Sequence, residues 1–369
     1  MKITTIVGTR PELIKMAQVI QLLDKEVDHQ LVHTGQNFDY ELSEVFYQQL
    51  GIRQPDLFLG CSRPTLGESI GAIIADSDKL LRENRPDALV LYGDTNSCLS
   101  VISARRLGIP IFHLEAGNRS FDPRVPEETN RKIVDHLSTI NFPLTERARQ
   151  YLLDEGIAPQ TIYKSGSLMG DLLDKHARDI EDSQILRDLE LEPRKFFVVS
   201  SHREENVDTP ETLKTLIDEL EALGSHYQLP ILFSLHPRTR RWLESASISM
   251  DSPWIRFSKP LGFFEYNKLQ KESLCVLSDS GTLSEESALV GFPAVHLRDC
   301  TERPEAVEHG VFVLCPIRSR QLVRSVGLAV SSRPPGQVWR CPVEDYNQRQ
   351  VPEMILKTVI GFTARAQLA

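Results

Sequence analysis

The chain has 369 residues, and 42 Lys plus Arg against 51 Asp plus Glu leave a formal charge of −9 at pH 7. That length accommodates about two ordinary domains, and 41% hydrophobic with 25% charged residues is the balance of a soluble globular protein. The acidic balance excludes the basic stripe of a general nucleic-acid or membrane-surface binder, and no stretch reaches the roughly 20 apolar residues of a membrane span.

The opening, MKITTIVGTRPE, has too short an apolar run for a signal peptide. The six cysteines are scattered without a C-x-x-C pair, which argues against a zinc knuckle or a disulfide framework. A cytoplasmic protein is expected.

In chain order, the predicted elements open with strand 3–7 and helix 12–23, then strands 30–33, 88–92 and 110–113. Helix 128–137 and strand 139–142 follow. A charged stretch at 171–195 reads as linker plus helix. The series then restarts with strand 196–200, helix 209–223, strands 231–235 and 274–277, helix 283–290 and strand 294–297. Short, continuously apolar strands alternating with helices predict α/β units with largely parallel sheets, buried on both faces. Two doubly wound domains are expected, 1–168 and 169–352, with a closing helix at 353–369.

Ligands of open parallel sheets bind beyond the carboxyl ends of the strands. Here those ends read Gly8-Thr9-Arg10-Pro11-Glu12, Gly93-Asp94-Thr95-Asn96 and His113-Leu114-Glu115-Ala116-Gly117. Further on come His202-Arg203-Glu204-Glu205-Asn206, His236-Pro237-Arg238, Asp279-Ser280-Gly281-Thr282 and 298–304. One polar strand end is an ordinary turn or cap, but seven point to a ligand cleft. The 279–282 string reads as an N-cap or as a phosphate turn in which Gly281 lets helix amides approach an anion. Arg10 and Lys15 read as a solvated pair or as cations for a diphosphate. His202 suits a structural or a ligand-binding role. Asp94, Glu115 and Glu127-Glu128 suit acid/base work or helix capping and pairing with Arg119 and Arg131. There is no G-x-G-x-x-G, P-loop or H-E-x-x-H string, so neither a hydride carrier nor a metal is expected. These residues describe an enzyme acting on a phosphorylated, nucleotide-linked substrate.

The strings VGTRPELIK, HTGQNFDYEL, YGDTNS, HLEAGNRSFDPRVPEETNRKIVDH, SHREENVD, HPRTR, DSGTLSEES and TERPEAVEHG follow one another along nearly the whole chain. In them the chain resembles the non-hydrolysing UDP-N-acetylglucosamine 2-epimerase family, and several are similar to its UDP-N-acetyl-L-fucosamine synthase branch, which serves capsule and O-antigen pathways. The resemblance implies two Rossmann-like domains in a B-type glycosyltransferase (GT-B) architecture, with the active site in the interdomain cleft and the closing helix 353–369 packed back on the first domain. It also implies a homodimer, a UDP-N-acetylhexosamine substrate and elimination followed by re-addition of UDP. Asp94, Glu115, Glu127 and His202 are then the expected catalytic residues. Arg10, Lys15, His202, Ser280, Gly281, Thr282, Glu286 and Arg303 are expected to bind UDP, Glu286 at the ribose. A GT-B glycosyltransferase, a hydrolysing epimerase and a nucleotide-sugar sensor are the alternatives.

Overall fold

The computed structural model describes residues 1–35, 40–207, 209–235, 237–245, 248–334 and 338–366. It divides into two compact units, Met1–Asp174 with Asp345–Ala369, and Lys175–Glu344.

The first unit holds a parallel sheet of β1 (Lys2–Val7), β2 (Asp28–His33), β3 (Leu57–Phe58), β4 (Ala88–Tyr92), β5 (Ile111–Ala116) and β6 (Ile140–Pro143), in the order β3-β2-β1-β4-β5-β6. The second holds β7 (Phe197–Ser200), β8 (Ile231–Ser234), β9 (Ile255–Ser258), β10 (Cys275–Ser278), β11 (Ala294–His296) and β12 (Val313–Leu314), in the order β12-β11-β10-β7-β8-β9. Each unit therefore repeats the 3-2-1-4-5-6 doubly wound order, as the alternating pattern predicts.

Both cores form where apolar strand runs meet helix stripes. Ile6, Leu89, Leu91 and Ile111 pack with Val134 in the first unit, and Phe197, Val199 and Leu277 pack with Leu213 and Leu220 in the second. Three strands escape sequence reading. β3 and β12 are two residues long, and the edge strand β9 carries the exposed Arg256.

The first unit extends to Asp174 rather than ending at 168 because helix Leu168–Lys175 is anchored there. Asp171 accepts hydrogen bonds from the Gln350 and Val351 amides at 2.9 and 3.0 Å, capping helix Val351–Ala366. That closing helix packs on helix Arg10–Glu26 within the same unit.

In a doubly wound sheet the crevice lies where the strand order reverses. The reversals fall between β1 and β4 in the first unit and between β7 and β10 in the second. The polar strings after β1, β4, β7 and β10 are therefore at the two places such a sheet binds ligands.

Candidate active site

In the first unit, Gly8 closes β1 at a spot with no room for a side chain. A Cβ there would lie 2.8 Å from both Ser97 Cβ and Thr34 Oγ1. The helix that follows starts at Arg10 and is capped by Glu12, whose carboxylate accepts from the Gly8 and Thr9 amides at 2.5 and 3.2 Å. Glu12 also accepts from the hydroxyls of Thr95 and Ser97, so it ties the β1 turn to the β4 turn. Burial pushes its carboxyl up to about 7, against four donors that favour the anion. Arg10 lies over the Phe46 ring, 5.1 Å from the centroid.

Asp94 follows β4 and stays one-quarter exposed while Arg131 holds it. Arg131 Nε and Nη2 lie 2.8 and 2.7 Å from Asp94 Oδ2. Arg131 Nη1 reaches Glu128 at 2.8 Å, and Glu128 also accepts from the Ser120 amide and hydroxyl and the Phe121 amide. Although burial opposes it, the Ser120 amide and Arg131 hold the Glu128 carboxyl below its usual range. Glu127 is half-buried in the same first helical turn.

Glu115 sits in a bulge of β5, where the register with β6 slips between Leu114 and Ala116. Its φ is +64°, a conformation costing a non-glycine residue about 1–3 kcal/mol and common at functional sites. Lys15 Nζ lies 2.7 Å from Glu115 Oε2, and the Tyr92 hydroxyl donates to the same oxygen. Lys15, expected on phosphate, is thus found on a carboxylate. Beneath it, His113 joins the two strand ends. One ring nitrogen is 2.8 Å from the Gly93 carbonyl and the other 2.9 Å from Asp135. Asp135 accepts in addition from Arg119 at 2.7 Å and from the Gly117 amide at 3.2 Å. Despite its burial, His113 and Arg119 keep the Asp135 carboxyl below the usual value.

In the second unit, Asp279 after β10 is fully buried and gathers the turn after β7. It accepts from the amides of His202 and Arg203 at 3.0 Å each, from Ser201 Oγ at 2.8 Å and from Asn206 Nδ2 at 3.0 Å. Burial opposes its charge, yet His202 and these donors hold its carboxyl below the usual range. His202 Nδ1 is 3.3 Å from Asp279 Oδ1, and the ring is 42% exposed. Ser280, Gly281 and Thr282 form the turn into helix Leu283–Val290, with Ser280 Oγ 3.0 Å from Thr282 Oγ1. A Cβ on Gly281 would meet Glu302 Oε1 at 2.7 Å. Glu286, expected at a ribose, accepts from Gln270 Nε2 at 2.7 Å. Arg303 is buried, its Nη2 3.3 Å from Glu285.

Of the expected residues, the first unit holds Arg10, Lys15, Asp94, Glu115 and Glu127, with Lys15 and Glu115 in direct contact. The second holds His202, Ser280, Gly281, Thr282, Glu286 and Arg303, with Ser280 and Thr282 in direct contact. His236 of the strand-end strings and residues 36–39 of the string HTGQNFDYEL lie outside the described residues. Sequence reading leaves Glu12, Tyr92, His113, Arg131 and Asp279 out of the candidate site. For Glu12, Tyr92, His113 and Asp279 the one available signal is a position at or just beyond a strand end, whereas Arg131, inside helix Pro126–Leu137, reads only as a pairing partner for the acids. Among the described residues, no group of His, Cys, Asp and Glu could hold a metal ion, and no helix is long and apolar enough to cross a membrane.

Comparison with known proteins adds an independent line. Residues 21–359 match the family described as UDP-N-acetylglucosamine 2-epimerase. The structure of UDP-N-acetylglucosamine 2-epimerase from Rickettsia bellii is 44% identical with a TM-score of 0.91, covering 99% of this chain and 97% of that one. The UDP-GlcNAc 2-epimerase of Methanocaldococcus jannaschii, crystallised with UDP-GlcNAc and UDP, is 32% identical with a TM-score of 0.89, covering 98% and 99%. The UDP-2,3-diacetamido-2,3-dideoxy-D-glucuronate 2-epimerase of Pseudomonas aeruginosa is 34% identical over 330 residues, 88% of this chain and 91% of that protein.

Proposed function

The chain belongs to the UDP-N-acetylglucosamine 2-epimerase family, and we propose that it is a non-hydrolysing 2-epimerase of a UDP-N-acetylhexosamine. The observation that carries this reading is the pair Asp94 and Glu115 on adjacent strand ends, each carboxylate held by its own cation, Arg131 or Lys15.

Carbon 2 of such a sugar bears a proton that no adjacent carbonyl acidifies. Inversion therefore proceeds by elimination. The C1–O bond to UDP breaks, a base takes the carbon 2 proton, and the electron pair of the C–H bond becomes the C1–C2 double bond of a glycal. UDP then adds back to carbon 1 while an acid delivers a proton to the other face of carbon 2. The reaction needs two proton-transfer groups and stabilisation of a departing diphosphate. Asp94, Glu115 and Glu127 supply the first. His202 protonates or stabilises the leaving UDP, and its half-exposed ring beside Asp279 supports that role. Arg10 and the turn Ser280-Gly281-Thr282 hold the phosphates, Arg303 adds positive charge in the second unit, and Glu286 takes the ribose hydroxyls. The protein acts in the cytoplasm as a homodimer, supplying a surface-polysaccharide precursor.

The test is incubation in heavy water with UDP-N-acetylglucosamine and, separately, UDP-N-acetyl-L-pneumosamine, followed at carbon 2 by NMR. The expected result is deuterium at carbon 2 with a UDP-linked 2-epimer, in one sugar series. Free sugar plus UDP would indicate a hydrolysing enzyme instead. UDP binding without exchange on either sugar would remove the epimerase reading.

A further inference from the structure

Tyr92 is the last residue of β4, next to the Gly93-Asp94 turn, and is buried. Its hydroxyl donates to Glu115 Oε2, the oxygen that also takes the Lys15 ammonium at 2.7 Å. Lys15 Nζ in turn lies 5.6 Å from the centroid of the Tyr92 ring. Three side chains from β4, β5 and the first helix therefore meet on one carboxylate oxygen. The bulge at Glu115 is what brings them together, since a bulge re-aims the side chain of the strand it interrupts. A carboxylate gripped on one oxygen by a phenol and an ammonium has a fixed plane, and so a fixed direction for moving a proton.

We propose that Tyr92, together with Lys15, is a positioning residue that aims Glu115 for proton transfer at carbon 2 of the UDP-sugar. This rests on the epimerase reading, so the wild-type enzyme must first turn over a UDP-N-acetylhexosamine. If it does not, that reading fails and the proposal is not what has been tested.

The experiment is Tyr92→Phe, which removes the hydroxyl and keeps the ring, made in the full chain both alone and with Glu115→Gln. Carbon 2 deuterium exchange, kcat, KM and UDP affinity are measured. For Tyr92→Phe alone, exchange and kcat are expected to fall about 10- to 100-fold, less than the loss of a proton-transfer group itself. KM and the Kd for UDP stay within about twofold. In the Glu115→Gln background the same change has little further effect, because the group it aims is gone. Full kcat in Tyr92→Phe, an equal loss in the Glu115→Gln background, or a loss that appears in UDP affinity overturns the proposal. Should Tyr92→Phe melt near assay temperature, Tyr92→His, which keeps a donor, is compared with Tyr92→Leu at matched stability. Higher exchange in the histidine variant supports the proposal, and equal exchange overturns it.

Discussion

The two units repeat one strand order and use their reversal points differently. In the first, Asp94 and Glu115 keep 25% and 12% of their side chains exposed, and each is held from one side by a cation. In the second, the acid at the equivalent place, Asp279, is fully buried beneath two amides, a hydroxyl and a carboxamide. A carboxylate that must move a proton needs a partner to orient it and an edge open to substrate. One saturated with donors and closed to solvent instead holds a loop in shape. The same residue type at the same topological address is thus left open to a ligand in one unit and closed off as a brace in the other.

That contrast is sharpest under substitution. Asp94→Asn is expected to lower turnover about 100- to 10,000-fold with UDP affinity unchanged, read by steady-state kinetics beside calorimetric titration of UDP. A matching loss of UDP affinity would break the division of labour.

Asp279→Asn should act on stability. It turns an acceptor into a group that is half donor and faces buried donors, costing about 2–3 kcal/mol at pH 7 in chemical denaturation. Because the folded-state carboxyl is held below its unfolded value, this advantage is complete above the unfolded pKa. It is lost as pH falls through the folded one. The gap between variant and wild type should accordingly narrow only in strong acid.

Glu12 has the opposite sign. Its folded value of about 7 lies above the ordinary carboxyl value of 4.5, so the native state binds the extra proton between them and wild-type stability declines as pH rises through that window. The decline amounts to about 1.4 kcal/mol for every pH unit that separates the folded from the unfolded value. Glu12→Gln should flatten it in denaturation curves taken at about pH 4 and pH 8, on either side of that window. Smallest is Gly281→Ala. Its methyl crowds Glu302 Oε1, a misfit of about 1–3 kcal/mol. It should weaken UDP binding about 5- to 100-fold in titration while leaving the exchange rate at saturating substrate near wild type.

Much of this was legible in the chain. Short apolar runs such as Ala88–Tyr92 announce buried parallel strands, and the polar strings after them, from 8–12 to 279–282, mark the strand ends where ligands bind. The eight family strings, in order, carry the epimerase family. What the sequence could not settle is which charge serves which partner. Lys15 meets Glu115 across 100 positions and Arg131 meets Asp94 across 37, because β1, β4 and β5 lie side by side in the sheet. Neither periodicity nor spacing reports that adjacency. Tyr92 reads as the apolar end of a strand until the bulge in β5 turns Glu115 onto its hydroxyl. Asp279 reads as a helix cap until the loop after β7 folds over it. Strand order and a one-residue slip in register are properties of the assembled sheet, and they decide which of these acids keeps an open edge and which is sealed into the fold.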